Sequence, residues 1–170
     1  MTARGAEILA ALKRARVEFV VALPDIVTSD ALLWPLARDP QIRLVRVCKE
    51  DEGIGICAGL AVAGRRAVLL IQQTGLLDSI NALRAVGVEY AQPIALMVGL
   101  QGKEAGVAPA RSAKFAVRIV EPILDALGIA HVALESRADE ALVGPAIERA
   151  YAESRPVCVL IGAPPEVSAP

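Results

Sequence analysis

Lys49-Glu50-Asp51-Glu52-Gly53-Ile54-Gly55-Ile56-Cys57-Ala58-Gly59-Leu60-Ala61-Val62-Ala63-Gly64 is the stretch on which the reading of this chain turns. It follows the apolar run Ile42-Arg43-Leu44-Val45-Arg46-Val47, so an acidic cluster past a strand leads straight into a helix of very small residues. Gly53, Gly55 and Gly59 each cost that helix about 1 kcal/mol relative to alanine. A helix carries such a cost where another backbone, or a ligand, must come close. Glu50 stands at the strand's carboxyl end, where open α/β sheets place their ligands. A carboxylate beside a tightly packed helix suits a nitrogen heterocycle that needs one ring nitrogen held protonated.

Outward from that block, apolar runs alternate with helical spacing. Ile8, Leu9 and Leu12 mark a first helix, followed by the strand Phe19 to Leu23 and a short helix near Ser29 to Leu36. After the glycine-rich helix come the strand Ala67 to Ile71 and a helix whose buried face carries Leu76, Ile80 and Leu83. The strand Pro93 to Gly99 leads into a polar loop through Arg111, then a helix around Phe115 to Leu127 and the strand Ile129 to Leu134. Ser136 with Asp139 three residues on has capping-box spacing for the next helix, and Val157 to Ile161 is the last strand. Six strands of continuous apolar residues, alternating with helices, predict an α/β three-layer sandwich with a mostly parallel six-stranded sheet. Right-handed crossovers are expected, while the strand order stays open. One domain is expected over residues 1–163, with a frayed tail over 164–170.

Composition narrows the function. The 170 residues are 55% hydrophobic but only 3% aromatic, and 18 Lys/Arg nearly balance 19 Asp/Glu. No basic stripe with interleaved aromatics is present, so a nucleic-acid partner is not expected. The longest uncharged apolar run, Gly53 to Gly64, falls short of the ~20 residues that cross a bilayer. No basic-then-apolar leader opens the chain, and a cytoplasmic protein is expected. Cys48, Cys57 and Cys158 read as small buried hydrophobes. His131, the only histidine, lies in a strand without clustered ligands, so no metal site is expected.

Gly53-x-Gly55-x-x-x-Gly59 after a strand also invites a dinucleotide-binding reading. Electrostatics weighs against it, because a pyrophosphate at that helix start would meet Glu50, Asp51 and Glu52. Asp51 and Glu52 are accounted for as helix-start acids favoured by the macrodipole. Three glycines in the same helix are not.

Glu50 lies nine residues before Gly59 in Gly59-Leu60-Ala61. That spacing resembles the pyrimidine-binding (PYR) domain of thiamine diphosphate enzymes, where a glutamate precedes a Gly-Tyr-Ala-like step. Gln72-Gln73-Thr74-Gly75-Leu76-Leu77 is similar to the family's Ser/Thr-Gly turn after the next strand, and Arg155-Pro156-Val157-Cys158-Val159 to its closing strand. Leu60 replaces the usual tyrosine, and Leu77 the turn's second glycine. The pattern is closest to the α subunits of sulfopyruvate decarboxylases and the matching half of phosphonopyruvate decarboxylases.

The resemblance implies a thiamine diphosphate-dependent 2-oxo acid decarboxylase subunit that holds only the pyrimidine end of the cofactor. Glu50 would stabilise the protonated pyrimidine ring. Gln73, Thr74 and Gly75 would also line the cofactor, and Asp25 lies in the loop where related decarboxylases place active-site groups. Turn formation at Asp25 and helix capping at Thr74 explain those two residues equally well. Lys103 and Arg111 are candidates for binding an anionic substrate, with Gln101 nearby. The family's magnesium-diphosphate motif, Gly-Asp-Gly, is absent from this sequence. Mg2+ and the diphosphate are therefore expected on a partner β subunit, and self-association is expected too. The alternative is a non-catalytic α/β binding or interaction protein on the same fold.

Overall fold

The computed structural model describes residues 1–167. Its six strands are β1 (Phe19–Ala22), β2 (Arg43–Arg46), β3 (Ala67–Gln72), β4 (Ala95–Gly99), β5 (Ala130–Leu134) and β6 (Val157–Ile161). All pair in parallel, in the order β2-β1-β3-β4-β6-β5. Every strand is four to six residues long; the four inner strands are apolar and mostly buried, as a sheet covered on both faces requires, while the edge strands β2 and β5 are partly exposed. The three-layer α/β architecture expected from the alternation is the one observed.

Alternate residues along each strand feed two separate cores. On one face, Val20, Val68, Leu70, Met97 and Val159 pack with Ile8 and Leu12 of α1 (Gly5–Arg14) and Ile147 of α8 (Val143–Glu153). On the other, Val21, Leu69, Ile71, Val98 and Leu160 pack with Ile54 and Cys57 of α3 (Glu50–Val62). Leu76 of α4 (Gln73–Asp78) and Leu124 of α7 (Val120–Ala126) complete that second core. No described helix is long and apolar enough to cross a membrane.

Several local readings change. The helix expected around Phe115 to Leu127 is broken into α6 (Phe115–Arg118) and α7, and the short helices α2 (Trp34–Ala37) and α5 (Ile80–Ala82) are single turns. Ser136 and Asp139 do form a capping box, but they open a 3-10 turn, Arg137–Leu142, before α8. Cys57 and Cys158 are buried, and burial pushes the Cys57 thiol up to about 12 and the Cys158 thiol further. Cys48 is exposed, because β2 ends at Arg46 and leaves it in the turn. The tail is not frayed at Glu166, whose backbone exchanges hydrogen bonds with Ala3 and Gly5 and whose side chain pairs with Arg137. Residues 168–170 of the expected tail lie outside the described residues.

Gly53 explains how α3 sits so low on the sheet. A Cβ built there would lie 2.5 Å from Leu69 Cδ1 and 3.4 Å from Val21 Cγ1, both in the core. Gly53→Val is therefore expected to destabilise the isolated chain by about 1–3 kcal/mol through overpacking, read as a lowered urea midpoint. Gly55 and Gly59 differ, since a Cβ at either position meets nothing within 4 Å. The close approach expected of all three glycines is made within this chain by Gly53 alone.

Candidate active site

The strand order places a crevice at the carboxyl edge of the sheet. The chain leaves β1 for β2 on one side, yet β3 flanks β1 on the other. Such a switch point separates the loops that follow neighbouring strands and is where parallel sheets bind ligands. Three of its loops carry residues singled out from sequence: Asp25 after β1, Glu50 after β2, and Gln73 to Gly75 after β3.

Glu50 is the first residue of α3, three residues before Gly53 and so on nearly the same side of the helix. With Gly53 seated on Leu69 and Val21, the Glu50 side chain reaches the start of α4. There it lies directly over Gly75: a Cβ on Gly75 would overlap Glu50 Cγ and Oε1 and lie 2.5 Å from Cδ. Two glycines thus set the position of one carboxylate, Gly53 beneath the helix and Gly75 opposite the side chain.

The three adjacent acids separate by what they touch. Glu52 Oε2 accepts from the backbone N–H groups of Cys48 at 3.1 Å and Lys49 at 3.3 Å, closing the helix start. Asp51 lies 3.3 Å from the Lys49 ammonium, which also pairs with Asp78 at 3.2 Å. Asp78 and then Asp51 hold the Lys49 pKa above its ordinary value. Both acids do the helix-start work expected of them. Glu50 is half-buried, and among the described residues its carboxylate has no hydrogen-bond or ion-pair partner. A carboxylate placed this closely and left without a partner is free to meet a donor from a ligand.

The remaining candidates fall into two groups. Gln73 is 3% exposed, and its amide mimics a backbone pair: Nε2 donates to Gln101 O at 3.1 Å while Oε1 accepts from Gln101 N at 2.8 Å. It ties the end of β3 to the loop after β4. Thr74 is exposed and its hydroxyl accepts from Gln72 Nε2 at 2.7 Å. Gln73, Thr74 and Gln101 line a cavity of about 400 Å³ together with Gly102, Lys114 and Phe115.

Asp25 and Lys103 are engaged elsewhere. Asp25 Oδ1 accepts from the N–H groups of Val27 at 2.6 Å and Thr28 at 2.8 Å, and Oδ2 accepts from the Thr28 hydroxyl. That is the turn role, and it bends the loop across to Gly99 on β4, where a Cβ would lie 3.1 Å from Asp25 Oδ1. The Lys103 side chain is 1% exposed and pairs with Glu135 at 2.7 Å, so it is not presented to a substrate in the cavity. Arg111 is exposed at the end of a 3-10 turn, Pro109–Arg111, and has no ion-pair partner among the described residues.

Sequence reasoning missed Lys114, Phe115, Gly102 and Gly99. Nothing local signals them, because they meet Gln73 and Asp25 only through the parallel order of β1, β3 and β4. His131 bonds to Ile129 O at 3.2 Å through Nδ1. Among the described residues, no group of three His, Cys, Asp or Glu side chains is placed to hold a metal ion. Two larger cavities, of about 620 and 530 Å³, open at the opposite edge of the sheet around Lys13, Arg16, Glu18 and Gln41. They include none of the candidate site residues named from sequence.

No family model matches the chain. Over 97 residues it is 35% identical to sulfopyruvate decarboxylase subunit alpha of Methanothermobacter thermautotrophicus, covering 57% of this chain and 58% of that one. It is 30% identical over 92 residues to the subunit of the same name from Methanocaldococcus jannaschii, covering 54% of each. A Methanosarcina acetivorans protein named sulfopyruvate decarboxylase, without a subunit designation, is 40% identical over 72 residues, 41% of this chain and 18% of that protein. The chain spans about half the length of the α subunits it matches. It is related over that half to sulfopyruvate decarboxylase α subunits, the type its glutamate-to-glycine spacing resembles.

Proposed function

We propose that this chain is the pyrimidine-binding subunit of a thiamine diphosphate-dependent 2-oxo acid decarboxylase of the sulfopyruvate type. One observation carries the reading: at the crevice, Glu50 alone of three consecutive acids has no partner among the described residues, and its carboxylate is set against Gly75. An anionic oxygen beside a bare Cα fits a flat heterocycle whose ring nitrogen must be held protonated. The two glycines place that carboxylate: Gly53 lets the helix seat on Leu69 and Val21, and Gly75 makes room for the Glu50 side chain itself. The names of the relatives support the decarboxylase and the α-subunit type.

The groups that this chain would present are few. Glu50 would accept a hydrogen bond from the pyrimidine ring and favour its protonated form by charge. Gly75, with Gln73 and Thr74 beside it, would border the ring, while Asp25 shapes the neighbouring loop. When bound, the cofactor supplies a thiazolium carbon that attacks a 2-oxo acid and an electron sink for the departing carbon dioxide. Orientation and proton control are what the residues of this chain add.

The diphosphate and its Mg2+ belong on a partner in this reading. This sequence has no Gly-Asp-Gly, and the described residues offer no metal-binding group. The Methanosarcina acetivorans relative, of which the match covers less than a fifth, has room for both halves on one chain. The exposed Gly55 and Gly59 leave one face of α3 uncovered, which suits assembly with a partner or a second copy. A cytoplasmic enzyme goes with the same reading.

Calorimetric titration with thiamine diphosphate and Mg2+ tests the split site. The chain alone is expected to give little heat, and stoichiometric binding is expected once a Gly-Asp-Gly-bearing partner is added. Tight binding to this chain alone would contradict the reading.

A further inference from the structure

The cavity beside Gln73 has one cationic wall, and that wall is Lys114. Its side chain is exposed, and among the described residues its ammonium has no ion-pair partner. Gly102, with φ at +79°, lets the lysine stem lie alongside it: a Cβ there would be 3.4 Å from both Lys114 Cγ and Cε. Glu104, whose charge Lys114 also feels, is occupied with Ser112 Oγ at 2.6 Å and Ala113 N at 3.0 Å. Phe115, which lines the same cavity, presents a ring that is 66% exposed, with Arg118 stacked 5.3 Å from its centre. An exposed aromatic ring and an unpaired ammonium around about 400 Å³ make a subsite for a small anion.

The tripeptide Gln73-Thr74-Gly75 joins this subsite to the carboxylate. Gly75 lies against Glu50, and the two residues before it line the cavity. A 2-oxo acid that reacts on a cofactor whose pyrimidine ring is held by Glu50 can therefore extend a second charged group toward Lys114. We propose that Lys114 binds the distal anion of a dianionic 2-oxo acid, the sulfonate in sulfopyruvate, and so sets the preference for dianionic over monoanionic substrates. The proposal rests on the decarboxylase reading above. It also moves substrate recognition from Lys103, whose ammonium is held by Glu135, to a lysine in the same connection between β4 and β5.

Two measurements test it. In the complex with the partner subunit, Lys114→Met is expected to lower kcat/KM for sulfopyruvate by about ten- to hundredfold, the range for losing a hydrogen bond to a charged group. The loss should appear mainly in KM, pyruvate kinetics should hardly change, and Lys114→Arg should recover most of the difference. With the full chain by itself, amide NMR titration with sulfoacetate should shift Thr74, Gly102 and Lys114 signals. Acetate, or the Lys114→Met variant, should not produce those shifts. Sulfoacetate binding without decarboxylation in any complex would keep the subsite and remove the decarboxylase reading. Equal losses on both substrates, loosened assembly with unchanged substrate preference, or no Lys114-dependent sulfoacetate shifts would overturn the proposal.

Discussion

Glu50→Gln, assembled with the partner subunit, is expected to lose about 10²–10⁴-fold in kcat, the usual contribution of a positioned proton-transfer group. Glutamine keeps the size of the side chain and can still hydrogen-bond, but it cannot supply the negative charge that favours a protonated ring nitrogen. The fold should be untouched, because Glu50 has no partner among the described residues to lose. Asp51→Asn and Glu52→Gln are the controls. Asp51 is paired with Lys49, and Glu52 caps the N–H groups of Cys48 and Lys49, so their substitution should act on the helix start and change kcat far less. Equal losses at all three positions would point to a general field and not to one placed carboxylate.

Gly75→Ala is expected to reduce turnover by about 10²-fold while leaving the urea midpoint of the isolated chain almost unchanged. The added methyl would overlap the Glu50 side chain, and the carboxylate, the flexible end of that side chain, would swing away. Repositioning a reacting or proton-holding group by about 1 Å costs on the order of 10²-fold in rate. Steady-state kinetics and denaturant unfolding on the same preparation separate the two effects. A variant that unfolds early would make Gly75 a packing residue, and one with full activity would mean that the carboxylate need not sit where it does. Gly53→Val should behave in the reverse manner, with stability falling first, because its contacts are to the core residues Leu69 and Val21.

Much of the fold was legible because its inner strands are buried on both faces. Continuous apolar runs such as Ala67 to Ile71 and Val157 to Ile161 stand out against amphipathic helices such as α1 and α8. The order of those strands was not legible, since each parallel pairing joins residues far apart in sequence. β1 lies between β2 and β3, which places Asp25 and Gln73 on neighbouring loops. No local pattern carries that fact.

The site divides in the same way. Glu50 stood out because an acid met costly glycines within one helix, and the packing of Gly53 gives the physical reason. Asp51 and Glu52 were read as helix-start charges, and their partners are Lys49 and the backbone of Cys48. Lys103 illustrates the limit: a lysine in a polar loop looks available until Glu135, at the end of a different strand, closes on it. Lys114 illustrates the converse, since only the folded chain brings it to the cavity beside Gln73.

The most direct measurement of the central claim is the exchange of the thiazolium C2 proton of thiamine diphosphate for deuterium in the assembled complex, followed by quenched NMR. It reports proton control at the cofactor without requiring the substrate to be known. The wild-type complex is expected to exchange this proton far faster than the free cofactor does, and Glu50→Gln should remove most of that acceleration while cofactor and partner remain bound. Exchange in Glu50→Gln as fast as in the wild type would contradict the assignment of Glu50, and with it the account of what this chain is built to hold.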